Sequence, residues 1–478
     1  MNYNEFKKHD GLGLAHLLEQ GEVTAHELME SSIAAATTID QKLNFLCYEK
    51  FDESLELAKN RAPKGAFGGV PFLLKDSGAA SKRFPSSIGS RLFNNTAYKV
   101  DAVIVERFDQ AGFIPYARTT VPELCMAPTT EAAVYGKTTH NPWDTARSCG
   151  GSSGGAAVAV ATGVVPVAHG SDGGGSIRIP AACCGVYGYK PSRGLVPMGP
   201  LRGEGWGGLA VDGVLSRTVR DTAASMDHIG GFYEGAPYAA PQFKTSFMQA
   251  IAQPPTKKLR IGVWRTGFAQ IAISPEVLDA VEKTARLCKE LGHDVIDMDT
   301  PAFDYAGLIK AHTIVLASNI VNSVDTKLLD TQQPLAIGDL EHAIATGYEH
   351  GQRITSAEYI RSINFFHQVS RLMASWMDSV DVLITPALNQ LPAMLGDLSM
   401  ALDFLKFREK VSNYSCFLAI INASGQPAAA LPVHWTPAGL PVASQIIGKF
   451  GCDDMILQLS AQIEATGHWH PLHHNYHV

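Results

Sequence analysis

The sequence predicts a single large α/β body, and three observations predict it. Helix and strand signals alternate along the chain, charged residues are sparse, and neither an internal repeat nor a polar linker interrupts it. Alternation of the two signals is the mark of helices packed against a sheet. Charged residues make up 18% of the 478 positions, against a usual fraction of about 25%. A low charge density means much interior for little surface, as in one large body.

Taken in order, GLGLAHLLEQGEVTAHELMESSIAAATTI reads as two helices joined at Gly21. Thr24 and Glu27 have the spacing of a capping box for the second, and residues 1–65 are expected to be mainly helical. GGVPFLLKD (68–76) is a short apolar run after a turn, hence a buried strand ending at Lys75. DAVIVERFDQAG reads as a helix and GFIPYART as a strand. Gly154–Val165, small and apolar throughout, predicts a closely packed helix, followed by a strand over Pro166–Ala168. Residues 190–215, rich in Gly and Pro, read as a long covering loop. LRIGVW (259–264), DVLITP (381–386) and SGQPAAALPV (424–433) supply later strands, and SPEVLDAVEKTARLCKELG a helix closed by Gly292. The stretch of about 230–400 is expected to be an inserted, mainly helical region on the substrate side.

Several function classes drop out. A net charge of −7 gives no basic footprint for nucleic acid. The opening MNYNEFKKHD lacks the apolar core of a secretory signal, and no run reaches the roughly 18 apolar residues of a membrane span. A cytoplasmic protein without membrane partners is expected. The eight cysteines, at 47, 125, 149, 183, 184, 288, 416 and 452, show no CxxC and no Cys/His metal spacing, so they read as reduced thiols. The tail HWHPLHHNYHV carries five histidines but no cysteine or carboxylate, and no metal is expected there. Nor is a cofactor: the phosphate-loop, dinucleotide and GxSxG patterns are all missing around the glycine clusters.

What remains is a pair of Gly/Ser turns flanking a short helix, CGGSSGG at 149–155 and GSDGGGS at 170–176, together with Lys75. A serine becomes nucleophilic when a nearby base takes its proton. An ordinary lysine, with a pKa of about 10.4, is neutral in roughly one molecule in 2,500 at pH 7. Lowering that pKa to about 8 raises the neutral share to roughly one in ten, a shift of about 3 kcal/mol within the reach of burial. Gly173, Gly174 and Gly175 ahead of Ser176 let backbone N–H groups converge, and such a donor on a developing oxyanion is worth roughly 3 kcal/mol of barrier. Spacing alone does not bring Lys75, Ser152 and Ser176 together.

GGSSGG followed by GSDGGGSIRIPAACCGVYGYKP resembles the defining segment of the amidase signature family. GVPFLLKD is similar to that family's lysine strand and NPWDTARSCGGSSGG to its lead-in. RTVRD (217–221) and NASGQPA (422–428) are similar to its later landmarks. The resemblance covers nearly the whole chain and is weakest over about 230–400. It implies a mixed β-sheet flanked by helices and acyl transfer by a Ser–cis-Ser–Lys triad. Ser176 would be the nucleophile and Lys75 the ultimate base, with Ser152, after a cis peptide bond, passing the proton between them. The backbone N–H groups of Gly173, Gly174, Gly175 and Ser176 would hold the oxyanion. Asp172 and Arg178 match positions expected to support the site structurally, Ser153 and Ser171 to hydrogen-bond the triad, and Cys125, Met126 and Ala127 to line the substrate pocket.

The chain departs from the pattern in GYKPS for GLKPT and in Gly173, where a larger residue is usual, which is expected to loosen the turn. Cys149 and the Cys183–Cys184 pair read as buried core residues. TTEAAVYGKTTHNPWD and NASGQPA look most like the branch containing aminohexanoate cyclic-dimer hydrolase, while related branches split aryl amides and carbamates. The implied activity is hydrolysis of an apolar, aryl or cyclic amide, or a carbamate, by a free-standing amidase that a homodimer would also suit. The alternative is the glutaminase component (the A subunit) of a tRNA-dependent amidotransferase, which works with partner subunits. A non-catalytic binding protein would require an incomplete triad.

Overall fold

PFLLK is buried at every position, which is why it shows no polar alternation: both faces of its strand are covered. It is one of eleven strands in the computed structural model, which describes residues 1–60, 64–255 and 257–469. In chain order these are β1 (Leu46–Cys47), β2 (Pro71–Lys75), β3 (Ile114–Thr119), β4 (Val167–Asp172), β5 (Tyr187–Lys190) and β6 (Val211–Ser216), then β7 (Arg260–Val263), β8 (Asp294–Asp297), β9 (Val382–Pro386), β10 (Ala428–Trp435) and β11 (Pro441–Gly448). They form one sheet in the order β1-β3-β2-β4-β6-β5-β10-β11-β9-β7-β8. Pairing is parallel for β3-β2-β4 and for β9-β7-β8, and antiparallel between. The expected α/β class, with a mixed sheet flanked by helices, is what the chain forms.

Local signals place most elements. The helices Gly11–Glu19 and Ala25–Leu43 meet beyond Gly21, and Thr24 and Glu27 make both halves of the capping box. The helix Val103–Ala111 and β3 fall on the predicted runs. Gly154–Ala161 is helical and buried at every residue.

Other boundaries move for identifiable reasons. The strand after that helix runs beyond Ala168 to Asp172, because β6 pairs with it along its whole length, Val167 to Ser216 through Asp172 to Val211. The predicted loop of 190–215 therefore ends inside the sheet, since its last residues are β6. Ser424 closes the helix Ala419–Ser424, and Gly425, at φ 77°, turns the chain into β10. The helices Tyr305–Thr331, His342–Gly351 and Ser356–Trp376 occupy the middle of the 230–400 region. Yet that stretch also contributes β7, β8 and β9, joined to the rest through the β9–β11 ladder. No helix among the described residues is long and apolar enough to cross a membrane. The predicted histidine tail, from residue 470 on, lies outside the described residues, and only His468 precedes it.

Candidate active site

Lys75 is the last residue of β2 and is fully buried. Its backbone N–H donates to Nδ1 of His169 on β4 at 3.3 Å, and Nε2 of that ring meets Asp212 Oδ1 on β6 at 3.4 Å. A histidine accepting at Nδ1 carries its proton on Nε2, and burial keeps the ring neutral by lowering its pKa. Three adjacent strands thus fix the lysine's backbone. At the other end, Nζ lies 2.8 Å from Ser152 Oγ, 2.8 Å from Ser171 Oγ and 3.2 Å from the Ser171 carbonyl. Burial pulls its pKa below the ordinary lysine value, against the opposing pull of Cys125, Asp212 and Asp172. Among the described residues no carboxylate reaches Nζ. Three oxygens surround the amine: when charged it donates to all of them, and when neutral it can donate two N–H bonds to Ser171 and turn its lone pair to the Ser152 hydroxyl.

Ser152 follows a cis peptide bond from Gly151. Only glycine fits at 151, because a Cβ there would lie 2.5 Å from the Thr129 carbonyl and 2.7 Å from that of Ala127. Thr130 Oγ1 donates to the Gly150 carbonyl at 2.8 Å and pins the same turn. Ser153 Oγ both accepts from the Ser171 N–H and donates to its carbonyl, each at 3.3 Å, so it ties the first turn to β4. Cys149 is fully buried, and burial pushes its thiol well above the ordinary range. It belongs to the core, as do Cys183 and Cys184.

The second turn leaves the end of β4. Asp172 and Arg178, both fully buried, pair at 2.9 Å. Burial alone would raise the pKa of Asp172, but Arg178, Lys190 and Asn422 outweigh it and hold the carboxyl well below its usual range. Arg178 also donates to Gln445 on β11 at 2.7 Å and to Asn422 Oδ1 at 2.6 Å. Asn422 returns a bond to Asp172 at 2.9 Å. This network gives the NASGQPA segment its place: its asparagine holds the turn.

The same network corrects one expectation. Asp172 Oδ1 takes the Gly175 N–H at 2.7 Å, so Gly175 is not free to hold an oxyanion. The N–H groups of Gly173, Gly174 and Ser176 make no hydrogen bond among the described residues. The expected looseness at Gly173 is also removed. A Cβ there would stand 2.4 Å from the Trp206 ring, so the indole fills the space a side chain would take.

Replacing Asp172 by asparagine leaves a buried guanidinium without its counter-charge. Losing one member of a buried pair costs roughly 3–5 kcal/mol. Urea unfolding of Asp172→Asn is expected to show a loss in that range, and a loss under about 1 kcal/mol would contradict the account.

Two cavities open onto these turns and share Ser176, Trp206, Cys125 and Met126. One also contains Ser152, Ser171, Gly173 and Arg202. The other contains Gly174, Ala127, Tyr305, His312 and Arg408. All three expected pocket residues therefore line cavity wall. Trp206, His312, Arg408, Asn422 and Gln445 are the residues that sequence reading missed. Of these only Asn422 had a signal, its place in NASGQPA.

The sequence model of the amidase family matches residues 27–457. A 6-aminohexanoate-cyclic-dimer hydrolase from Paenarthrobacter ureafaciens is 31% identical over 472 residues, 96% of this chain and 95% of that protein. The solved structure of a hydrolase of that name, complexed with substrate, matches 96% of both chains with a TM-score of 0.89 and 30% identity. A bacterial aryl acylamidase of the amidase signature family is similar over 96% of both chains, with a TM-score of 0.86 and 27% identity. A glutamyl-tRNA(Gln) amidotransferase component from Thermotoga maritima has a TM-score of 0.74 at 24% identity over 97% of this chain and 94% of that one, a likeness of fold alone.

Proposed function

The chain belongs to the amidase family, being an amidase signature hydrolase of non-peptide carbon–nitrogen bonds, and on that premise we propose that it cleaves a carboxamide through an acyl-enzyme on Ser176. The observation that carries this reading is the buried Lys75 amine, 2.8 Å from Ser152 Oγ and with no carboxylate in reach among the described residues, with Ser152 and Ser176 in one cavity. Ser176 Oγ attacks the carbonyl carbon while its proton passes to Ser152, whose own proton passes to Lys75. The carbonyl π pair moves onto oxygen, which the N–H groups of Gly173, Gly174 and Ser176 stabilise. Collapse of this intermediate breaks the C–N bond. The departing nitrogen takes the Ser152 proton, and Lys75 replaces it. Water then repeats the sequence on the ester, releasing a carboxylic acid and restoring Ser176.

The names of the relatives point to a cyclic or aryl amide as substrate, and carbamates share the required carbonyl. No observation favours the amidotransferase reading, whose solved counterpart is similar in fold only. Incubation with a fluorophosphonate followed by peptide mapping is expected to find the label on Ser176, together with loss of anilide hydrolysis. Label on Cys149 or Ser153 instead would overturn the assignment.

A further inference from the structure

Arg408 lies in the helix Phe404–Tyr414, is almost wholly buried, and lines the cavity that also contains Ser176. A buried cation is ordinarily paired, yet among the described residues no carboxylate stands within ion-pair distance of this guanidinium. It donates from Nη2 to Nδ1 of His312, at 2.9 Å, and its Nε has no partner among those residues. Because arginine can only donate, Nδ1 of His312 must accept, which puts that ring's proton on Nε2. Nε2 is buried without a hydrogen-bond partner as well. It faces the oxyanion turn, where a Cβ on Gly174 would lie 3.5 Å away. The Gly173 backbone lies close enough to act on the ring as a weak acceptor, though no hydrogen bond of full geometry forms.

The side-chain hydroxyls of Tyr305, Ser412 and Ser415 in this cavity are satisfied within the protein. Tyr305 donates to the Ser412 carbonyl, Ser412 to that of Glu409 and Ser415 to that of Val411. No acidic residue lines the wall. The cavity therefore presents unfilled donors, one of them a full positive charge, and asks for an anionic acceptor.

Which end of the substrate enters follows from the proton route proposed above, on which this inference rests. Ser152 hands its proton to the departing nitrogen, so the amine leaves on the side Ser152 lines. Ser152 lines the neighbouring cavity and not this one, whereas Arg408 lines this one and not the neighbour. The acyl chain is left facing Arg408. We propose that this amidase takes acyl groups ending in a carboxylate, so that its substrates are monoamides of dicarboxylic acids and its acid product a dicarboxylate held by Arg408 and His312.

The test compares the monoanilides of succinate, glutarate and adipate with the anilides of the corresponding uncharged acids of equal chain length. For the best-fitting length, kcat/KM is expected to favour the carboxylated substrate at least tenfold, and Arg408→Met to bring that ratio to about one. In the wild type, without any substitution, the matching dicarboxylate is expected to inhibit and to raise the melting temperature at tenfold lower concentration than the monocarboxylate. Equal values for charged and uncharged members of each pair, with anilides hydrolysed and Ser176 labelled, would overturn this proposal and leave the amidase reading standing. Absence of anilide hydrolysis and of the Ser176 label would instead sink the reading beneath it. A preference that survives Arg408→Met unchanged in a folded variant also overturns it.

Discussion

Ser176→Ala is expected to fold normally and to lower kcat by about a million-fold, near 8 kcal/mol of barrier. The size of the loss follows from the lack of a substitute. Ser152 Oγ is bound to Lys75, and Ser153 bridges both backbone groups of Ser171. Cys149 is fully buried with a thiol held protonated by that burial. None of them can replace the missing oxygen. Because the serine and its base act as a unit, a double variant lacking Ser176 and Lys75 should lose no more than the single one. Product detection over days, with active-site titration to exclude wild-type carry-over, measures the residual rate. A residual above about one thousandth of wild type would move the nucleophile elsewhere.

The legible parts of this molecule are those whose cause is local. PFLLK announces a doubly covered strand by being apolar without alternation, and Thr24 with Glu27 announces a helix start through bonds spanning three residues. The Gly/Ser turns are legible for a similar reason: at Gly151 a side chain would strike the Thr129 carbonyl, so the sequence has no choice there. What stays hidden depends on partners far along the chain, or on how a side chain folds back. β6 lies at the end of a Gly- and Pro-rich stretch and is a strand because β4 and β5 flank it. Gly175 has the spacing of an oxyanion donor, but Asp172, three residues before it, bends back onto its N–H. Arg408 and His312 stand 96 positions apart on two helices, with neighbours that mark neither as unusual. Their meaning arises only when the guanidinium is found without a counter-ion among the described residues.

Lys75→Met is expected to abolish hydrolysis while leaving the protein at least as stable as wild type at pH 7. The first half follows from the proton route, since methionine fills the same space with no lone pair to receive the Ser152 proton. The second half follows from linkage. Burial lowers the folded-state pKa of Lys75, so between that lowered value and the ordinary one the unfolded chain binds more protons at this position than the folded one does. Stability then rises with pH, from the lowered folded value up to the ordinary one of about 10.4, and below that window burial of the amine is a net cost. Methionine removes the cost. Its advantage in melting temperature should be largest below that window and shrink as the pH rises through it toward the ordinary lysine range. In the wild type, kcat/KM should climb with pH as the amine loses its proton and level off before that range. The titratable groups acting on the amine are Cys125, Asp212, Asp172 and Arg202. Asp212 is engaged by His169 and Asp172 is held by Arg178, which keeps both carboxyls below their usual range, while burial pushes the Cys125 thiol up. A rate flat from pH 6 to 9, joined to a Lys75→Met variant that melts well below wild type at pH 7, would show a charged structural lysine and remove the base from the mechanism.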